Sequence, residues 1–275
     1  MRIAVCVKWV DLHPKLDLGT GSVDLDERRF GFSPADAAAL ETALAFADER
    51  GDTIVRIVCA GPASAEPALR ELSATGAAEI SRVDLHHGAD SALVASAVAA
   101  AVADCELVLC GDYSLDRQSA TVPPQIAAHL GWPQCLGVVE VELSNDGDTV
   151  LASRRLDGGW RERVSVDLPA VVSVEGSVAT LRRAGMPQVL AARNTEIVVV
   201  EPQRSHVSEL PVGHCEPLRP RTRRIAPPVG TTRQRIVELT GALVDRTPPR
   251  RIDASPQEAA AVILEQLRAW GYVGE

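Results

Sequence analysis

The sequence is poor in aromatic side chains: three Phe, two Tyr and four Trp make up 3% of its 275 residues. A protein that grips single-stranded nucleic acid by base stacking needs more such platforms, and these few are spread along the chain. Positive charge is also scarce. Lys and Arg number 28 against 37 Asp and Glu, a formal net charge of -9, which excludes a polyanion-binding protein at the level of the whole chain. Long apolar runs are missing. The opening MRIAVCVKWVDLHPK has an apolar run too short to span a bilayer and charges wrong for a signal peptide. No membrane insertion is expected. The six cysteines, Cys6, Cys59, Cys105, Cys110, Cys135 and Cys215, include no C-x-x-C pair and mostly lie in or beside apolar runs. They read as buried reduced thiols of a cytoplasmic protein.

The common catalytic fingerprints are absent as well. Neither G-x-G-x-x-G nor G-x-x-x-x-G-K-[ST] is present, and no S-G-G-x-[DS] loop follows the first apolar run. His86-His87 is flanked by Asp84 and Asp90 but lacks a further ligand at metal-site spacing, so it reads as a solvated pair. No Ser/His/Asp arrangement can be nominated. No catalytic constellation stands out.

What is present, with 46% hydrophobic and 24% charged residues, is a globular α/β pattern. Ile3–Val10, Thr53–Cys59, Glu79–Leu85 and Glu106–Cys110 read as buried strands. They alternate with helices over Pro34 to Gly51, Glu66–Thr75, Ala92–Ala103 and Pro123–Leu130. Ser33-Pro34-Ala35-Asp36 supplies an N-cap, a first-turn proline and a capping-box acid. The alternation predicts βαβ units and a mostly parallel sheet with flanking helices. Asp17 to Arg29 reads as a loop or small hairpin. After Trp132 the pattern changes to Val138–Leu143, Thr149–Leu156, Glu162–Asp167 and Ala170–Glu175, with Asp146-Gly147 and Asp157-Gly158-Gly159 as tight turns. This predicts an antiparallel extension.

Residues 1–204 are expected to form the α/β domain and 205–275 a C-terminal arm. The arm carries nine arginines between Pro217 and Arg251 against one Glu and one Asp. It ends in an amphipathic helix opened by the capping box Ser255-Pro256-Gln257-Glu258. In open parallel sheets ligands sit beyond the carboxyl ends of the strands. Here those ends are Cys6-Val7-Lys8, Ala60-Gly61 and the polar segment Gly111–Val122, which leads into a helix whose N–H groups could hold a phosphate.

The segment ASRRLDGGWRERVSVDLPAVVS, Ala152 to Ser173, resembles the signature of the electron transfer flavoprotein β subunit at Ala152, Arg154, Asp157, Gly158, Gly159, Glu162, Val164, Pro169, Val171, Val172 and Ser173. The opening IAVCVK, the helix start SPADAAALETAL, and CAGP, LVLCG and LGWPQ fall in the same order as in that family. The resemblance covers about residues 1–200 and implies an adenine-nucleotide-hydrolase-like, Rossmann-type three-layer fold. It also implies a non-catalytic subunit of an αβ heterodimer, with FAD shared with, and held mainly by, the α subunit. Electrons would arrive from dehydrogenases and leave to a quinone reductase or another acceptor.

By position, the AMP-site candidates that the resemblance implies are Cys6, Ser33, Pro34, Ala35, Asp36, Ala60, Gly111, Asp116, Gln118, Ser119, Ala120, Thr121 and Val122. The segment Gly176–Thr195 aligns with the family's recognition loop, placing Met186 at its partner-docking anchor with Arg182 and Arg183 beside it. Departures from the family pattern are Ser33 for Asn, Gln118 for an acid, Thr121 and Pro123 for a Gln and a Gly, and Arg183 for an aromatic. The lysine-rich stretch after the anchor becomes Ala191–Asn194. The alanine- and arginine-rich composition and these changes resemble the actinobacterial branch associated with the mycofactocin redox system. A nucleotide-binding regulator of the universal-stress-protein type is the alternative on the same fold, and an ATP-pyrophosphatase a third; the missing glycine-rich ATP loop weighs against the regulator and the missing S-G-G-x-[DS] loop against the pyrophosphatase.

Overall fold

The computed structural model describes residues 1–144, 146–202, 228–240 and 251–273. The chain divides into two compact units, Met1–Leu218 and Arg219–Glu275. The boundary expected at 204/205, Cys215 and most of the arginine-rich stretch lie outside the described residues.

The first unit is built on a nine-stranded sheet. Its strands are β1 (Arg2–Val7), β2 (Ile54–Gly61), β3 (Glu79–Asp84), β4 (Leu107–Gly111), β5 (Gln134–Leu143), β6 (Thr149–Arg155), β7 (Arg161–Asp167), β8 (Ala170–Val174) and β9 (Val198–Val200). The spatial order is β7-β6-β5-β8-β4-β1-β2-β3-β9. Every pair is parallel except β5–β6 and β6–β7. This is the parallel sheet with an antiparallel extension that the alternating pattern predicts.

Helices α1 (Pro34–Arg50), α2 (Glu66–Ser73), α3 (Ser91–Val102), α4 (Val122–Leu130) and α5 (Met186–Ala192) complete the unit. Alternate residues along a strand face opposite sides, so Ile3 and Val5 of β1 join Ala39, Leu40 and Ala43 of α1 in one core. Ala4 joins Ala95 and Val98 of α3 and Ile126 of α4 in the other. Three layers result. Ser33 caps α1 in a full capping box with Asp36, and Gly51 closes it in the left-handed conformation.

The boundaries differ from expectation in three places. The first strand ends at Val7, not Val10. The Lys8 backbone N–H points to the Asp36 carboxylate at 3.4 Å, and Val10–Asp11 pairs separately with Phe30–Gly31. Strand β5 begins four residues before Val138, at Gln134, because Gly137 absorbs a bulge. With φ +64° its N–H donates to Ser173 Oγ at 2.9 Å. The segment after β8 contains α5 and then β9, which adds a parallel strand beside β3. Between Asp17 and Arg29 the chain forms part of a small hairpin, with Lys15–Leu16 against Val23–Asp24.

In the second unit α6 (Thr232–Thr240) and α7 (Pro256–Ala269) are described. Helix α7 opens on the expected Ser255/Glu258 capping box and exposes Val262, Ile263 and Leu264. Among the described residues no helix is long and apolar enough to cross a membrane.

Candidate functional site

Strand order reverses between β1 and β4: β2 and β3 follow β1 to one side, while β4 lies on the other. Such a switch point leaves a crevice beyond the carboxyl ends of the two strands. A cavity of about 440 Å³ opens there. Cys6, Asp36, Ala60, Gly111, Asp116, Ser119, Ala120, Thr121 and Val122 all line it, so the sequence-nominated positions from four separate segments converge.

Ser33, Pro34, Ala35 and Gln118 do not line it. Ser33 is committed to capping α1, where it receives the Asp36 N–H at 3.0 Å. Ala35 packs behind Gly111, whose absent Cβ would lie 3.0 Å from the Ala35 Cβ. Gln118 turns away with φ +52°, its N–H on Ser114 O at 2.9 Å. Pro123 is buried in the first turn of α4 and forms part of the cavity wall. Its missing N–H falls where a helix would leave one unsatisfied in any case.

The floor is apolar: Val58, Val94, Val98 and Ile126 lie beneath the strand ends. Cys6 and Cys110 stand in register on β1 and β4 and both reach the cavity. The Cys6 thiol is pushed well above its ordinary pKa by its hydrogen bond with Cys110 and by burial. A thiol held protonated is a poor nucleophile.

Charged groups gather at the rim. Lys8 Nζ lies 2.6 and 2.7 Å from the two Asp116 oxygens and 3.4 Å from Ser114 Oγ, tying the end of β1 to the β4–α4 loop. Burial works against the Asp116 carboxylate, but hydrogen bonds from Lys8 and Ser114 outweigh it and hold the pKa below its ordinary value. Arg117 pins the same loop to the start of α3 through Ser91 Oγ at 3.1 Å and Gly88 O at 2.7 Å. Asp36 is buried, and burial raises its pKa from 3.8 to about 6 against the opposing hydrogen bonds from Ser33 and Lys8.

Sequence reasoning missed the aromatic side of the cavity. Trp9 lies 5.9 Å from Phe30 and 5.4 Å from Phe32, and Phe30 lies 4.8 Å from the His87 ring. The aromatics are thus not simply dispersed. The clue available was that three of so few fall between residues 9 and 32. His87 is half-buried against Phe30, which corrects the reading of a solvated pair; His86 is exposed, its Nδ1 2.7 Å from His87 O. Among the described residues no group of three or more His, Cys, Asp or Glu could hold a metal ion.

Away from the cavity, Met186 opens α5 and is 69% exposed, with Leu190 one turn later at 51%. Met186 is not a core residue. Arg183 is exposed, whereas Arg182 is half-buried and bonded to Glu41 and Asp48 of α1. In the signature segment Arg154 and Glu162 form an ion pair across β6 and β7, directly opposite each other in register. Asp157-Gly158-Gly159 makes the turn between those strands, with Gly158 at φ +72°.

The model of the electron transfer flavoprotein domain matches residues 22–205, more than half of the sequence. The chain belongs to this family. It is 28% identical over 211 residues to a probable electron transfer flavoprotein subunit beta of Schizosaccharomyces pombe, covering 74% of this chain and 82% of that protein. It is 30% identical over 203 residues to the electron transfer flavoprotein subunit beta of Clostridium acetobutylicum, covering 72% and 77%. It is 33% identical over 180 residues to subunit CarD of the caffeyl-CoA reductase-Etf complex of Acetobacterium woodii, covering 63% and 68%. Electron transfer, and not nucleotide-dependent regulation of the stress-protein type, is the function this membership supports.

Proposed function

We propose that this chain is the β subunit of an αβ electron transfer flavoprotein, taking electrons from flavin dehydrogenases and passing them to a quinone reductase or a related acceptor. The observation that carries the reading is the pairing of a cavity at the strand-order switch with an exposed apolar side chain, Met186, on the same body. FAD, when bound in the complex and held mainly by the α subunit, supplies the redox chemistry. This chain's part is to dock, orient and exclude water.

The cavity suits a mononucleotide of the AMP type. Val58, Val94, Val98 and Ile126 offer an apolar slot for a base, while Ser119 and Thr121 offer hydroxyls and Val122 a backbone N–H for a phosphate; Pro123 and Pro124 leave the first turn of α4 without further N–H donors. Placement in the mycofactocin-associated branch rests on the composition and on the replacements at Ser33, Gln118, Thr121 and Pro123. Native mass spectrometry of the co-expressed α and β chains tests the assignment. A heterodimer carrying FAD and an adenosine monophosphate is expected, and a β chain that assembles only with itself would refute it.

A further inference from the structure

The segment that carries Met186 is held to the body at defined points. At Gly176 the backbone runs against the start of α1, where an added Cβ would meet Ala35 N and Pro34 Cβ, each at 3.2 Å. At the far end Thr195 O accepts from Arg70 Nε at 3.1 Å, and Ala192 is buried. Between these points stands Arg182. Its backbone N–H donates to Glu41 Oε2 at 2.9 Å, its Nε and Nη2 reach Glu41 at 3.1 and 2.9 Å, and its Nη1 reaches Asp48 Oδ2 at 2.7 Å. Glu41 and Asp48 lie seven residues apart, two turns along one face of α1. One guanidinium therefore spans both turns. Its planar fork suits this, whereas an ammonium offers a single point of attachment.

Four residues later Met186 begins α5, and the exposed Met186 and Leu190 share one face at i and i+4. Gly185, at the N-cap, brings no side-chain cap to this short helix. Its orientation must come from the residues that tether it.

We infer that Arg182 is a positioning residue for partner docking: its clasp on Glu41 and Asp48 pre-forms the segment that presents Met186 and Leu190. The inference rests on the docking reading of Met186. A partner meeting a pre-formed anchor does not have to order it on binding, so the clasp acts on encounter affinity more than on turnover. Arg182 and Asp48 are partly open to solvent, so losing the clasp should barely change global stability.

The test uses the intact αβ complex and two readouts, hydrogen exchange and steady-state kinetics. The electron donor is a flavin dehydrogenase selected for its ability to reduce the wild-type complex. In R182A and E41A, amides of residues 183–192 should exchange about tenfold or more faster, with R182K intermediate and the central strands unchanged. The dehydrogenase's KM for the R182A complex should rise several-fold, by more than kcat falls. M186A should raise KM while leaving exchange as in wild type. Unchanged exchange over 183–192 in both R182A and E41A would overturn the clasp, as would a KM moved by M186A alone. A KM moved by neither variant, with exchange quickened in R182A, would instead overturn the docking reading beneath it.

Discussion

The Asp36 carboxylate closes the first turn of α1 and also receives the backbone N–H of Lys8, at 3.4 Å, where β1 ends. One buried acid thus joins the end of the central strand to the helix that borders the cavity. Because burial raises its pKa from 3.8 to about 6, the native state binds a proton more tightly than the unfolded chain does. The contribution of Asp36 to stability therefore falls as pH rises between about 4 and 6, by an amount on the order of 3 kcal/mol from a shift of about two units. Asp36→Asn keeps an oxygen to accept from Ser33 and Lys8 but removes the charge. The Tm of the wild type should fall relative to that of the variant as pH rises across that window. An equally steep dependence in the variant would place the titration elsewhere.

Gly111 ends β4 where α1 approaches most closely. An added Cβ would sit 3.0 Å from Ala35 Cβ and from Asp36 Oδ1, and 3.1 Å from the Asp36 backbone nitrogen. The backbone of a capped helix start cannot retreat easily. Gly111→Ala should cost about 1–3 kcal/mol in denaturant unfolding, as overpacking does. Gly51→Ala, with nothing within 4 Å of the added Cβ, provides a contrast: its cost comes from backbone strain at φ +75° alone.

The thiols should behave as core residues. Burial lifts Cys59 and Cys105 to a pKa of about 12 and raises Cys135, while the hydrogen bond with Cys110 and burial raise Cys6. Iodoacetamide at neutral pH should leave these four unmodified in the native protein and label them rapidly after unfolding, read by mass spectrometry. Rapid native labelling of Cys6 would show a cavity floor unlike the one described.

Most of the sheet was legible because burial on both faces leaves a continuous apolar run, as in Ile3 to Val7 and Leu107 to Cys110. The capping boxes at Ser33 and Ser255 were equally plain. What could not be read were features fixed by distant contacts. Strand β9 is a short apolar run whose pairing depends on the far-off edge of β3. The early start of β5 depends on the Ser173 hydroxyl meeting Gly137. At the cavity, family position brought Cys6, Asp36, Ala60 and the Gly111–Val122 loop to one place. The Trp9–Phe30–His87 wall came together only through the separate pairing of Val10–Asp11 with Phe30–Gly31.

The C-terminal arm should contribute to assembly. Helix α7 exposes Val262, Ile263 and Leu264, and Trp270 and Tyr272 follow it, exposed, with ring centroids 6.4 Å apart. Exposed apolar side chains of this kind on a charged arm are suited to a partner chain. Deleting residues 217–275 should weaken association with the α subunit, seen as dissociation on dilution in size-exclusion chromatography. Full retention of the heterodimer at low concentration would refute this role.

The central claim is that this chain presents a flavin carrier to its partners through Met186. Anaerobic stopped-flow measurement of flavin reduction in the αβ complex by its dehydrogenase tests it most directly. Met186→Ala should slow reduction at sub-saturating complex while heterodimer and FAD content stay at wild-type levels. Reduction at the wild-type rate, or a purified β chain that is a colourless homodimer binding ATP, would contradict it.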